Sequence, residues 1–70
     1  MANALVVLTN IQERLNDRQE LYEIYAKEAH KYLESGSKYN YDFNKAIANK
    51  HLEAVKELRS ILEEFEYLED

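Results

Sequence analysis

The stretch Glu34-Ser35-Gly36-Ser37-Lys38 (ESGSK, residues 34–38) decides the fold, because it holds the only glycine of a chain without proline. Glycine just past a helical stretch is the usual C-terminal stop of a helix, so the sequence predicts a turn at Gly36. The turn falls almost halfway along 70 residues, a length that allows one domain at most. We therefore predict a single helical domain, residues 1–70, with one central turn.

The segment before the turn carries apolar residues at alternating spacings of three and four, which is a heptad pattern. The members of this seam are Leu8, Ile11, Leu15, Tyr22, Tyr25, Ala29 and Tyr32, and Arg18 is the one interruption. Apolar neighbours widen the seam into the face of a bundle helix, namely Leu5, Ala26 and Leu33 on one flank and Val7 and Leu21 on the other. The pattern predicts a helix over about residues 3–34.

Asn16 and Asp17 leave a three-helix bundle open as the alternative. Both are poor residues for a helix interior, and Asp17 with Glu20 is similar to a capping box. The heptad phase nevertheless continues from Leu8 to Tyr32, and neither glycine nor proline marks a turn between them. One continuous helix is therefore the preferred prediction.

The segment after the turn repeats the same spacing. Its seam consists of Ile47, His51, Ala54, Leu58, Ile61, Phe65 and Leu68, flanked by Ala48, Val55 and Leu62. Ser37, Asn40 and Asp42 can each cap a helix, and we prefer Asn40 or Asp42. This predicts a connection over about residues 35–41 and a second helix over about residues 42–68.

Two such helices make an all-α fold, an antiparallel hairpin of long amphipathic helices. Both apolar faces are wider than one helix contact needs, so a second layer is expected, supplied by a second copy or by a different protein. The second copy is the simpler supplier and predicts a homodimer that forms a four-helix bundle. The residues predicted to mediate self-association are Leu8, Ile11, Leu15, Tyr22, Tyr25, Ile47, His51, Leu58, Ile61 and Phe65.

The net charge of −5 argues against direct binding to nucleic acid or to an anionic membrane surface. The charge is uneven, since residues 35–50 carry three lysines and one aspartate, whereas residues 63–70 (EEFEYLED) carry four glutamates and one aspartate. Antiparallel packing of two hairpins would bring each acidic end near Lys38, Lys45 and Lys50 of the other copy. We therefore expect dimer affinity to depend on salt.

Two segments are candidates for binding another protein. The connection KYNYDF is tyrosine-rich and mildly basic, as recognition loops are, although its rings can equally cover the helix ends. The acidic end can dock into a groove with a basic rim or mimic a phosphate backbone, whereas a solvated helix end is the simpler interpretation. The predicted partner-binding residues are Lys38, Tyr39, Tyr41, Phe43, Glu63, Glu64, Glu66, Tyr67 and Glu69.

The sequence contains no recognisable catalytic motif, because it has no cysteine, glycine-rich phosphate loop or Glu-x-x-His pair. We expect no enzyme activity, no cofactor and no metal. Arg18 is expected to pair with a carboxylate, and an anion site is its alternative. His51 is expected to be a hydrogen-bonded interior residue, and the residues that can lie opposite it are Tyr25, Tyr32 and Glu28.

The preferred function is that of a small acidic interaction module, a regulator or inhibitor that binds another protein. The alternatives are an acidic mimic of nucleic acid that occupies a DNA-binding protein, and a structural subunit of a helical complex. Because no cysteine, secretory signal or transmembrane pattern is present, we expect a cytoplasmic location.

Overall fold

The computed structural model describes the backbone of residues 4–69 and the side chains of residues 5–65. It contains two helices, α1 over Ala4–Ser35 and α2 over Lys38–Glu69. The helices pack against each other as a hairpin with principal extents of 52 × 17 × 14 Å. The predicted all-α hairpin is confirmed, and the dimeric four-helix bundle stays a prediction.

Gly36 and Ser37 alone connect the helices, because the motif that ends α1 also starts α2. Gly36 has a φ of +81°, in the left-handed region that glycine tolerates. Its N–H donates to the Leu33 carbonyl at 3.3 Å, and the Ser37 N–H donates to the Tyr32 carbonyl at 2.9 Å, which together form a Schellman motif. The Ser37 carbonyl then accepts the Tyr41 N–H at 3.0 Å, so Ser37 stands at the N-cap position of α2.

The start of α2 differs from the sequence-based boundary. The helix begins at Lys38 instead of about residue 42, and the connection is residues 36–37 instead of about 35–41. Asn40, one of the preferred caps, lies inside the first turn, where its Nδ2 donates to Ser37 Oγ at 3.0 Å. The segment KYNYDF is therefore helical and is not a loop.

The three-helix alternative is wrong, because α1 continues through Asn16 and Asp17. Leu15 and Tyr22, on either side of this segment, are both half-buried on the same seam. Packing of that seam against α2 outweighs the weak helix propensity of two residues, which costs well under about 1 kcal/mol for each.

The seam predicted in α1 is the face that packs on α2. Its member Ala29 is buried, and the other six apolar or tyrosine members are half-buried. In α2 the packed face is rotated by one residue from the prediction, since Ala48 and Val55 are buried whereas Ile61 is 40% exposed. The observed seam of α2 is Tyr41, Asn44, Ala48, His51, Val55, Leu58, Leu62 and Phe65.

The core of the hairpin is made of small side chains. Ala29, Ala48 and Val55 are the buried hydrophobic residues of the described part of the chain, and no large side chain there is fully buried. A helix in a hairpin has one neighbour, which covers only the middle of a wide apolar stripe. The large hydrophobic side chains left exposed are Leu5, Val6, Leu21, Ile24, Leu33, Tyr39, Phe43 and Ile61.

Candidate functional site

The first turns of α2 present two aromatic rings to solvent. Tyr39 is 78% exposed and Phe43 is 56% exposed. The two rings stack on each other, with centroids 6.5 Å apart and planes inclined by 13°. Lys38, also exposed, precedes Tyr39. We call Tyr39 and Phe43 the aromatic pair; its rings do not cover the helix ends, because most of their surface stays in water.

Tyr41 behaves differently from the aromatic pair, because it is half-buried in the seam. The Lys45 ammonium lies over its ring, with Nζ 5.3 Å from the ring centroid. A hydrogen bond to the Tyr41 side chain, followed by charge interaction with it, raises the pKa of Lys45 above the ordinary value of 10.5. Tyr41 therefore packs within the hairpin, and the Lys45 side chain lies against the Tyr41 ring.

Two polar seam residues meet in the middle of the hairpin. Arg18 Nη1 donates to His51 Nδ1 at 3.1 Å, because a guanidinium can only donate. The His51 ring stacks on Tyr25, with centroids 5.8 Å apart and planes inclined by 19°. The predicted hydrogen bond of His51 and its position opposite Tyr25 are confirmed, although the residue is half-buried and not interior. Arg18 contacts this histidine in place of the expected carboxylate. The cluster connects the two helices, because Arg18 and Tyr25 lie on α1 and His51 lies on α2.

The acidic end of α2 lies far from the aromatic pair. Glu63 and Glu64 are exposed. The other predicted partner-binding residues of this segment, Glu66, Tyr67 and Glu69, lie outside the residues whose side chains are described. Because the start and the end of α2 are at opposite ends of a molecule 52 Å long, one hairpin does not join the two predicted partner-binding segments into one surface.

One side of the hairpin is apolar with a few alternating charges. Leu21 and Ala54 line an open groove there, together with Arg14, Asp17 and Glu57. The helical repeat places further residues on the same side, one or two turns along each helix. We call this surface the isoleucine flank, and its apolar members are Leu21, Ile24, Ile47, Ala54 and Ile61.

Ile24 is the member of the isoleucine flank that the sequence analysis missed. It lies outside the predicted seam of α1 and outside both of its predicted flanks, yet it is 55% exposed on the side of Leu21. Ile24 lies three residues after Leu21, and this helical spacing could have placed both residues on the same side of α1. The shifted seam of α2 places Ile61, which is exposed, and Ile47, which is half-buried, on this flank and not at the centre of the contact between helices.

The opposite side of the hairpin is more basic. Its groove is lined by Ala26, Leu33 and Lys45, among other residues. Lys38 lies two turns before Lys45 on the same side of α2, and Leu52 and Arg59 continue the row. We call Ala26, Leu33, Lys38, Lys45, Leu52 and Arg59 the lysine flank.

The described residues offer little else of chemical interest. No three of their His, Cys, Asp or Glu residues form a group that could hold a metal ion. Neither helix, over the part that the structure describes, is apolar enough for its length to cross a membrane. On the exposed surface of α1, His30 Nε2 lies 3.0 Å from Glu34 Oε1, and Lys31 forms an ion pair with Glu28 at 3.3 Å; each contact is worth about 0.5 kcal/mol or less.

Comparisons with protein-family models, with curated proteins and with solved structures found no match for this chain.

Proposed function

We propose that this chain works by binding another protein, as a small regulator or inhibitor, with the aromatic pair at the centre of the contact. The observation that carries the proposal is the exposure of Tyr39 and Phe43, two large rings stacked side by side in water. Full burial of one such ring contributes about 1.5–3 kcal/mol. A partner that covers both rings therefore gains a large part of the free energy needed for micromolar binding.

The pair is also held ready for binding. Both rings stand on a helix whose first turn is closed by the Gly36 and Ser37 hydrogen bonds. A tyrosine has only two side-chain torsions, and the stacking already restricts them, so little entropy is lost when a partner covers it. The neighbouring Lys38 favours a partner with an apolar pocket and an acidic group at its rim.

The first experiment places a photo-crosslinking amino acid at position 39 and, as the matched control, at Ala46, another exposed position on α2. We expect a crosslinked protein from position 39 alone. In a separate pull-down with chains that carry no crosslinker, capture of the same protein should fall at least about tenfold with Tyr39→Ala and stay unchanged with Glu53→Ala. Equal capture by the Tyr39→Ala and wild-type chains would refute the proposal.

The two other functions make different predictions. An acidic mimic of nucleic acid should lose its target when Glu63, Glu64, Glu66 and Glu69 all become Gln, and should keep it with Tyr39→Ala. A structural subunit should show little helical circular dichroism until its partner chain is added. A cytoplasmic location also belongs to the proposal, and fractionation of cells that express a tagged chain tests it.

A further inference from the structure

The hairpin exposes more surface than a compact protein of its mass. Its accessible surface is 5786 Å², whereas a folded monomer of 8.3 kDa exposes about 4600 Å². The excess, about 1200 Å², is larger than the roughly 800 Å² that each partner contributes to an interface of standard size. One further interface of standard size would reduce the accessible surface of this chain to about that of a compact protein of its mass.

On α2, the residues of the isoleucine flank are arranged almost symmetrically on the two sides of Ala54. Ile47 lies two turns before Ala54 and Ile61 two turns after it, each about 10 Å away along the axis. Lys50 lies about one turn before Ala54, and Glu57 lies about one turn after it. The apolar residues match across this centre, and the two charges, about 6 Å before it and about 4.5 Å after it, have opposite signs.

We propose that a second copy of this chain packs on the isoleucine flank, α2 against α2 in antiparallel, with Ala54 at the two-fold axis. Each contact then occurs twice, as in any isologous interface. Ile47 of one copy lies beside Ile61 of the other, and Lys50 lies opposite Glu57. The small side chain of Ala54 lets the two helices approach closely at the axis.

The opposite orientation, with turn beside turn, fits the charges poorly. It places α2 of one copy against α1 of the other at equal distances from the turn. Asp17 and Glu57 then lie at nearly the same height, about 29 and 31 Å from the turn, so like charges meet twice, and Arg14, about 34 Å from the turn, offsets this repulsion only in part. In the antiparallel arrangement the charges of the flank on α2, Lys50 and Glu57, meet with opposite signs.

The lysine flank is a poorer surface for a second copy. Its charges on α2 are mostly positive, since Lys38, Lys45 and Arg59 lie there, with the acidic Glu63 about five turns after Lys45, and Leu52 is its apolar member on this helix. Antiparallel packing on this flank would bring Lys45 of one copy within about one turn of Arg59 of the other. The sequence analysis paired the acidic end with Lys38, Lys45 and Lys50; of these only Lys50 lies on the isoleucine flank, while Lys45 is engaged with Tyr41.

The dimer also joins the two predicted partner-binding segments. Phe43 and Glu64 lie almost equally far from Ala54, in opposite directions along α2. In the antiparallel dimer the aromatic pair of one copy therefore lies beside the acidic end of the other. This composite surface rests on the proposed function, whereas the dimer interface does not.

The first test is sedimentation equilibrium of the purified full chain with exchanged charges. Lys50→Glu and Glu57→Lys should each weaken the dimer about tenfold, because each turns two attractive pairs into repulsive ones. The double variant should restore affinity to within about threefold of wild type. Lys56→Glu, the same charge change on an exposed position outside the flank, is the control and should have little effect.

The second test uses the absence of cysteine from the chain. Ala54→Cys places one thiol at the two-fold axis, where two Cα atoms can come within the roughly 7 Å that a disulfide requires. Oxidation should link it into a dimer at least about tenfold faster than Ala46→Cys, an exposed control on α2. A monomer at all concentrations would overturn the proposal, as would a dimer in which neither the linking nor the charge rescue occurs.

These measurements need no partner protein, so their failure and the failure of the proposed function are distinguishable. A dimer that behaves as described while Tyr39→Ala still captures the partner would refute only the role of the aromatic pair. Loss of partner capture with Tyr39→Ala in a chain that stays monomeric would refute only the dimer.

Discussion

Val55→Ala should remove a large fraction of the stability of the hairpin. Val55 is 3% exposed and is the largest of the three buried hydrophobic residues in the described part of the chain. Loss of two methyl-sized groups costs about 1.6 kcal/mol in transfer free energy, and the cavity left behind adds to this. The higher helix propensity of alanine returns about 0.5 kcal/mol. We therefore expect a net loss of about 2 kcal/mol.

That loss is large for a domain of this size, whose single core supplies about 3–5 kcal/mol in total. The midpoint of thermal unfolding should fall by about 8–16 °C. Circular dichroism at 222 nm follows the transition, and urea unfolding should show a lower midpoint with an unchanged slope. Protein concentration must be fixed, because self-association would shift both midpoints.

Val6→Ala is the matched control, since it makes the same chemical change at a position that is 54% exposed. Its stability should change by less than about 0.5 kcal/mol, as is usual for surface substitutions. Equal destabilisation by Val55→Ala and Val6→Ala would show that the packed face of α2 is not the one centred on Ala48 and Val55.

Three further predictions concern the turn and the polar contacts. Gly36→Ala should destabilise the hairpin by about 1–2 kcal/mol in urea unfolding, because φ is +81°, whereas Gly36→D-alanine, which prefers positive φ, should not. Tyr41→Phe should lower the pKa of Lys45 towards 10.5 in an NMR titration. In the wild-type chain, the stability that comes from the raised pKa of Lys45 is present below pH 10.5 and is lost as the pH rises through the raised pKa. A retained shift would mean that the Tyr41 hydroxyl is not its cause. A double-mutant cycle on Arg18→Ala and His51→Ala should give a coupling of about 0.5–1 kcal/mol, and additive losses would contradict the hydrogen bond between them.

The first helix was largely predictable from the sequence. Its heptad seam is continuous on both sides of the weak segment at Asn16 and Asp17, and the seam faces α2 as the spacing requires. The partner of Arg18 was not predictable, because the register between the helices decides which side chain lies opposite. That register depends on the length of the connection, which the sequence analysis took as longer than it is.

The start of α2 was missed for a physical reason. Asn40, Asp42 and the aromatic residues around them have weak helix propensity, so KYNYDF has the composition of a loop. In the structure Ser37 completes the Schellman motif of α1 and stands at the N-cap position of α2. One residue with both roles removes the need for a longer connection. The aromatic pair consequently stands on a helix and not on a loop.

The seam of α2 was displaced by one residue because the helix carries two adjacent apolar stripes. One contains Ala48, Val55 and Leu62, and the other contains Ile47, Ala54 and Ile61. The spacing of apolar residues in the sequence shows how wide the apolar face of a helix is, but it does not show which stripe of that face packs against which neighbouring helix. In the hairpin, α1 covers the first stripe and only partly covers the second, in which Ile47 and Ala54 are half-buried and Ile61 is 40% exposed.

A helix in a four-helix bundle has two neighbours, and its apolar face must serve both. The predicted seam of α2 runs through His51 and Leu58, which belong to the observed seam, and through Ile47, Ala54 and Ile61, which lie on the isoleucine flank. The misplaced members are therefore the residues to which we assign the contact with a second copy. The predicted seam lies one residue away from the observed seam, on the side of the isoleucine flank. A helix with two neighbours would produce this difference, since its apolar pattern reflects both contacts together.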